Sequence, residues 1–192
     1  MAARINRKQL NKEIFANKNV QKLITNIVEQ EVIKEKNIFI KKFNNHPVTK
    51  EIEGGPLAKN ISSTLGGYGN LFSFIGFTDN NPTLGVKSLL KNIKIGSVIR
   101  KQDSYKFKIL IPSISEIKKV TKMPWENGRS WLFDIEKYIS GLSAYLYGKF
   151  KSSRTGTGIQ ATDFRNAVFK SVPYFTALYD DFIKNINNLK IK

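Results

Sequence analysis

From Arg7 to Phe43 the chain contains neither proline nor glycine, and this uninterrupted run limits the fold more than any other feature. Within it Val20, Leu23, Ile24, Ile27, Val28 and Val32 recur at helical spacing, with Lys18, Lys22, Glu29, Lys34 and Lys36 on the remaining surface. That pattern predicts one long amphipathic helix, or two joined near Asn17 to Asn19. Such a helix is long for a small domain and needs a sheet or a neighbouring subunit along it. Asn44, Asn45 and His46-Pro47 end it, because the residue before a proline is pushed out of the α region.

The clearest strand signal lies further on. Tyr105, Phe107, Ile109 and Ile111 alternate with Lys106, Lys108 and Leu110, giving one apolar and one mostly basic face. Lys94 to Arg100 supplies an antiparallel mate through Ile93, Ile95 and Ile99, turning across Lys101 to Ser104. Lys94, Arg100, Lys106 and Lys108 form the candidate basic face. A short helix is expected over Thr83 to Asn92 with Leu84, Leu89 and Leu90 inward, and another after Pro112, capped by Ser113 or Ser115 with Glu116 in its first turn. Near the end, Ser171 reads as an N-cap and Pro173 as a first-turn residue of a helix carrying Phe175, Leu178, Phe182, Ile186 and Leu189 on one face.

Two glycine-punctuated regions separate these elements. In the first, Leu71 to Phe77 reads as a short strand, with Leu71, Ser73 and Ile75 on one face and Phe72, Phe74 and Phe77 largely on the other. Aromatic side chains on one of two apolar faces call for cover on both sides, which a partner subunit would provide. The second runs from Trp125 to Gln160. Leu132, Ile135, Ile139, Leu142 and Leu146 favour a helix from Ser130, yet Gly141 interrupts it and Leu142 to Tyr147 suits a strand equally well. The fold class expected is α+β: a single domain over 1–192 with a flexible N-terminus at 1–8. A long N-terminal and a C-terminal helix pack on a small antiparallel sheet, with extended glycine-rich loops.

The 192 residues suffice for one sizeable core, and an apolar fraction of 41% with 13 Phe and 7 Tyr argues against wholesale disorder. No apolar run approaches the ~18 residues of a membrane span, and no signal peptide is expected. Cysteine is absent, which excludes disulfides and thiol chemistry. The single histidine, His46, cannot build a metal cluster and reads as a cap beside Pro47. Gly66-Gly67-Tyr68-Gly69 and Gly156-Thr157-Gly158 lack the residues of a phosphate-binding loop. Glu51 and Glu53, two apart in a segment expected to be extended, read as solvated surface, as do Asp180 and Asp181. No catalytic residue, cofactor or metal is expected.

The 32 Lys and Arg against 15 Asp and Glu leave a net charge of +17, which favours contact with nucleic acid, anionic membranes or acidic protein surfaces. Lysine predominates over arginine, which disfavours bidentate base reading.

Four segments in order carry a resemblance: His46-Pro47-Val48-Thr49 with Glu51 to Gly54; Asn70 to Phe77; Trp125-Glu126-Asn127-Gly128-Arg129-Ser130-Trp131-Leu132; and Ser153 to Gln160. With their flanking helices they resemble neck or tail-completion (head–tail joining) proteins of tailed bacteriophages, over about two-thirds of the chain. The resemblance implies a virion structural protein, assembled in the host cytoplasm, that forms a homo-oligomeric and often hexameric ring. Its neighbours would be the portal adaptor, tail tube or tail terminator proteins, with non-specific DNA contact in the channel. Interface candidates are Phe72, Phe74, Phe77, Trp125, Arg129, Trp131 and Arg154, the two arginines as forks for a neighbour's carboxylates. The alternative is a basic DNA- or RNA-binding accessory protein that uses the Lys94 to Lys108 hairpin.

Overall fold

A computed structural model describes residues 7–65, 69–78, 81–102, 104–124, 126–137 and 172–189. The proline-free run forms two helices, α1 (Arg7–Ala16) and α2 (Lys18–Asn45). Asn17 separates them in an extended conformation, its side chain accepting from the Asn19 amide at 2.9 Å. At 28 residues α2 is about 42 Å long. One stripe of it, through Val28, Val32, Phe39 and Phe43, forms the spine of the core.

His46 ends α2 and starts α3 (Pro47–Glu53), where Pro47 occupies the first turn and needs no amide partner. The segment after His46, expected to be extended, is therefore helical at its start. A single 3₁₀ turn, Gly55–Leu57, leads to α4 (Leu71–Ile75). The expected strand at Leu71 to Phe77 is not formed. Asn70 caps α4 by accepting from the Ser73 amide at 2.9 Å, and Gly76 closes it with φ of 80°. The Phe77 amide bonds the Phe72 carbonyl at 3.1 Å and the Gly76 amide bonds that of Ser73 at 3.2 Å. This is a Schellman closure, clasped by the Phe72 and Phe77 rings at 5.6 Å.

Helix α5 (Leu84–Lys91) turns Val86 and Leu90 inward, one helical turn apart, and leaves Leu84, expected inside, 62% exposed. The predicted hairpin follows as β1 (Lys94–Arg100) and β2 (Tyr105–Leu110), antiparallel and, among the described residues, paired only with each other. Its inner face, Ile95, Phe107 and Ile109, packs on the core, and Phe15 of α1 meets Tyr105 at 5.5 Å. Helix α6 (Ile114–Val120) begins with a reciprocal capping box between Ser113 and Glu116, so Ser113, of the two serines expected, is the cap.

A second hairpin, unforeseen, joins β3 (Lys122–Met123) to β4 (Glu126–Ser130) and feeds α7 (Trp131–Lys137). The helix expected from Ser130 thus holds to Lys137, and the helix-or-strand question beyond it lies outside the described residues. Helix α8 (Phe175–Asn187) starts two residues after Pro173, not around it. Tyr174 is fully buried, stacked on Phe43 at 5.8 Å with its hydroxyl 2.7 Å from that of Thr49, and the helix begins only after this anchor. Helix α8 lies mainly along α2, where Phe182 stacks on Phe39 at 5.0 Å. The architecture is α+β; the described residues arrange helices around one core with two small antiparallel hairpins.

Candidate interaction surfaces

The residues best suited to acid–base chemistry are committed to holding the chain together. Glu51 is not solvated surface: α3 buries it completely, and its two oxygens accept from the backbone amides of Ser62 at 2.9 Å and Leu71 at 2.8 Å. It ties α3 to the following loop and to the start of α4. Glu53, half-buried, accepts from the Thr83 hydroxyl and pairs with Lys87 at 2.5 Å, tying α3 to α5. His46 Nδ1 accepts from the Val48 amide at 3.3 Å, so it serves as the cap read from sequence. Burial pushes its pKa below the ordinary value, opposed by a hydrogen bond to the Pro173 carbonyl and by the charge of Glu136. Burial likewise pushes the Tyr174 phenol far up, its bond to Thr49 acting the other way. Among the described residues no group of three or more His, Cys, Asp or Glu side chains is placed to hold a metal, and no helix is long and apolar enough to cross a membrane.

The aromatic interface candidates are mostly taken up by the chain's own core. Phe72, Phe74 and Trp131 are buried, and Phe77 is half-buried with its ring at 90° to Trp131 and 5.5 Å away. With the segment helical, its aromatic side chains find cover within the subunit, and the demand for a partner there disappears. Arg129 is already paired inside the chain, Nε to Asp134 at 2.7 Å. Trp125 and Arg154 lie outside the described residues.

The basic hairpin is arranged differently from the simple alternation. The ladder pairs Ile95 with Ile109, then shifts register before Ser97, so Gly96 is an extra residue. A Cβ at Gly96 would come within 2.7 Å of Leu110 Cγ, which explains why the bulge sits at a glycine. One inserted residue reverses which side chains face in. Val98, not the expected Ile99, lies opposite Phe107 on the core side, and Ile99 is 55% exposed. The same shift sets Arg100 opposite Tyr105, on the core-side row, although it remains exposed at the hairpin tip. The outer face therefore unites Lys94, Lys106 and Lys108 with Ser97, Ile99 and Leu110, and excludes Arg100. Among the described residues no carboxylate pairs with these three lysines.

Sequence reading missed a further surface on the long helices. The apolar stripe of α2 is wider than the core it faces: Ile24, Val28 and Val32 pack inward, while Leu23 is 60% exposed and Ile27 also reaches solvent. On α1, Leu10 and Ile14 are exposed one turn apart. The excess width of the stripe was the available signal. No protein-family model, no curated protein and no solved structure matches this chain.

Proposed function

We propose that this protein is a non-catalytic structural subunit of a tailed-phage virion, acting at the neck or tail end in a homo-oligomeric ring that joins head to tail. The sequence resemblance to head–tail joining proteins suggests the setting. The observation that carries the assembly part is the uncovered apolar flank of the paired helices, Leu10 and Ile14 on α1 and Leu23 and Ile27 on α2. Each pair lies one turn apart on a rigid helix, the arrangement by which a helix face seats against a neighbour. The structural commitments of His46, Glu51 and Glu53 support a non-catalytic role. Fork contacts through Arg154, and the portal adaptor, tail tube or tail terminator as neighbours, belong to the same proposal.

Sedimentation of the purified chain across concentration tests the assembly, and phage particles lacking the protein test the location. The expected results are a discrete oligomer and an accumulation of filled heads and free tails that fail to join. A chain that stays monomeric at high micromolar concentration, or normal particles without it, overturns the reading.

A further inference from the structure

The outer face of the first hairpin has the chemistry of a phosphate-backbone contact. Lys106 and Lys108 stand two residues apart on β2, and Lys94 of β1 sits opposite Leu110, the next outward position. Three cations therefore mark successive outward steps of one ribbon. A strand step of two residues is about 6.7 Å, close to the through-space separation of neighbouring phosphates on one strand, which rise about 3.4 Å along the axis and turn about it as well. The ribbon is held in place because its inner face is part of the core and Tyr105 donates to the Phe15 carbonyl at 2.7 Å. At its root Lys36 donates to the carbonyls of Lys91 and Ile93 at 3.4 and 3.3 Å, bringing a further cation to the same end as Lys94.

The charge here is uncompensated. From Lys91 to Leu110 the sequence holds six basic residues against one acid, Asp103, and among the described residues Lys94, Lys106 and Lys108 make no ion pair. The face holds no Asn, Gln or Arg for planar bidentate base contacts, and Ser97 is its one short polar side chain. Ile99 and Leu110, 55% and 42% exposed, offer apolar contact to sugar rings beside the phosphates. A ribbon of two strands also has the width that a major groove admits.

We infer that the Lys94–Lys106–Lys108 face binds the phosphodiester backbone of nucleic acid without sequence preference. This site stands on the hairpin register and does not depend on the assembly reading.

Fluorescence anisotropy of a labelled duplex of mixed sequence and of labelled oligo-dT, each from 50 to 300 mM salt, tests it. The triple variant Lys94→Gln/Lys106→Gln/Lys108→Gln should bind at least about tenfold more weakly at 100 mM salt, with a salt slope flatter by about 2–3, near 0.9 per lost contact on duplex. The matching Lys→Arg triple should retain binding. A control that removes equal charge from exposed positions of α2, Lys18→Gln/Lys22→Gln/Lys41→Gln, should change affinity much less. Circular dichroism of each variant confirms the fold. Equal losses in the two Gln triples would reduce the effect to net charge and overturn the site. So would wild-type protein that fails to bind either nucleic acid, or that binds poly-glutamate as tightly with the same loss in the hairpin variant, which would mark a surface for acidic protein.

Discussion

Glu51 and His46 are the residues whose roles are most specific to this fold. Two buried backbone donors converge on the Glu51 carboxylate, and an amide in its place can accept from one of them but turns an N–H toward the other. Glu51→Gln should therefore cost about 1–3 kcal/mol, read as a lower urea midpoint at unchanged slope. His46 holds its cap through an unprotonated Nδ1 accepting from Val48, and burial lowers its pKa in the folded chain. The unfolded chain then binds the extra proton more readily. Its contribution to stability is fully present above the unfolded value of about 6.5 and is lost as pH falls through the lower folded value. Denaturation midpoints should fall between pH 7.5 and 5, and His46→Asn, which keeps a capping oxygen but does not titrate, should remove that share of the fall. An unchanged pH profile in the variant would refute the linkage.

At the scale of elements, capping chemistry overrode residue preference. The aromatic run from Leu71 to Phe77 has the composition of a strand, yet Asn70 and Gly76 bracket it with an N-cap and a left-handed C-terminal residue. Both residues were visible in the sequence, and their six-residue spacing was the signal for a helix. Alternation in β2 was fully legible, whereas in β1 the bulge at Gly96 moved every later side chain to the other face. Helix α8 was legible from its apolar spacing, with the sheet or the long N-terminal helix as its partner, and the fold chose the helix: Phe182 packs on Phe39 of α2. At 2% exposure, Phe182→Ala should destabilise the isolated chain by about 3–5 kcal/mol. Thermal unfolding at low concentration checks this, since a loss appearing only in the assembled form would move the residue to an interface.

For the whole molecule, the distribution of uncovered surface matters more than the total charge. Leu23→Glu/Ile27→Glu places two carboxylates on the exposed flank of α2, where single surface changes alter stability by about 0.5 kcal/mol or less. Light scattering should find the proposed oligomer reduced to monomer while the unfolding midpoint stays close to wild type; intact oligomers would place the interface elsewhere. The sequence by itself determined the helical run from Arg7, the first hairpin, a serine cap after Pro112 and the role of His46, and left one helix or two, and Ser113 or Ser115, to the fold. Each rests on interactions within a few residues or on a periodicity that survives in any context. Only the tertiary structure decided that Glu51 is buried, that Phe72, Phe74 and Trp131 face inward, and that Arg100 leaves the lysine face. Burial depends on which distant segment arrives to cover a side chain, and one bulged residue resets a strand's alternation; neither is encoded in the spacing of the residues it affects.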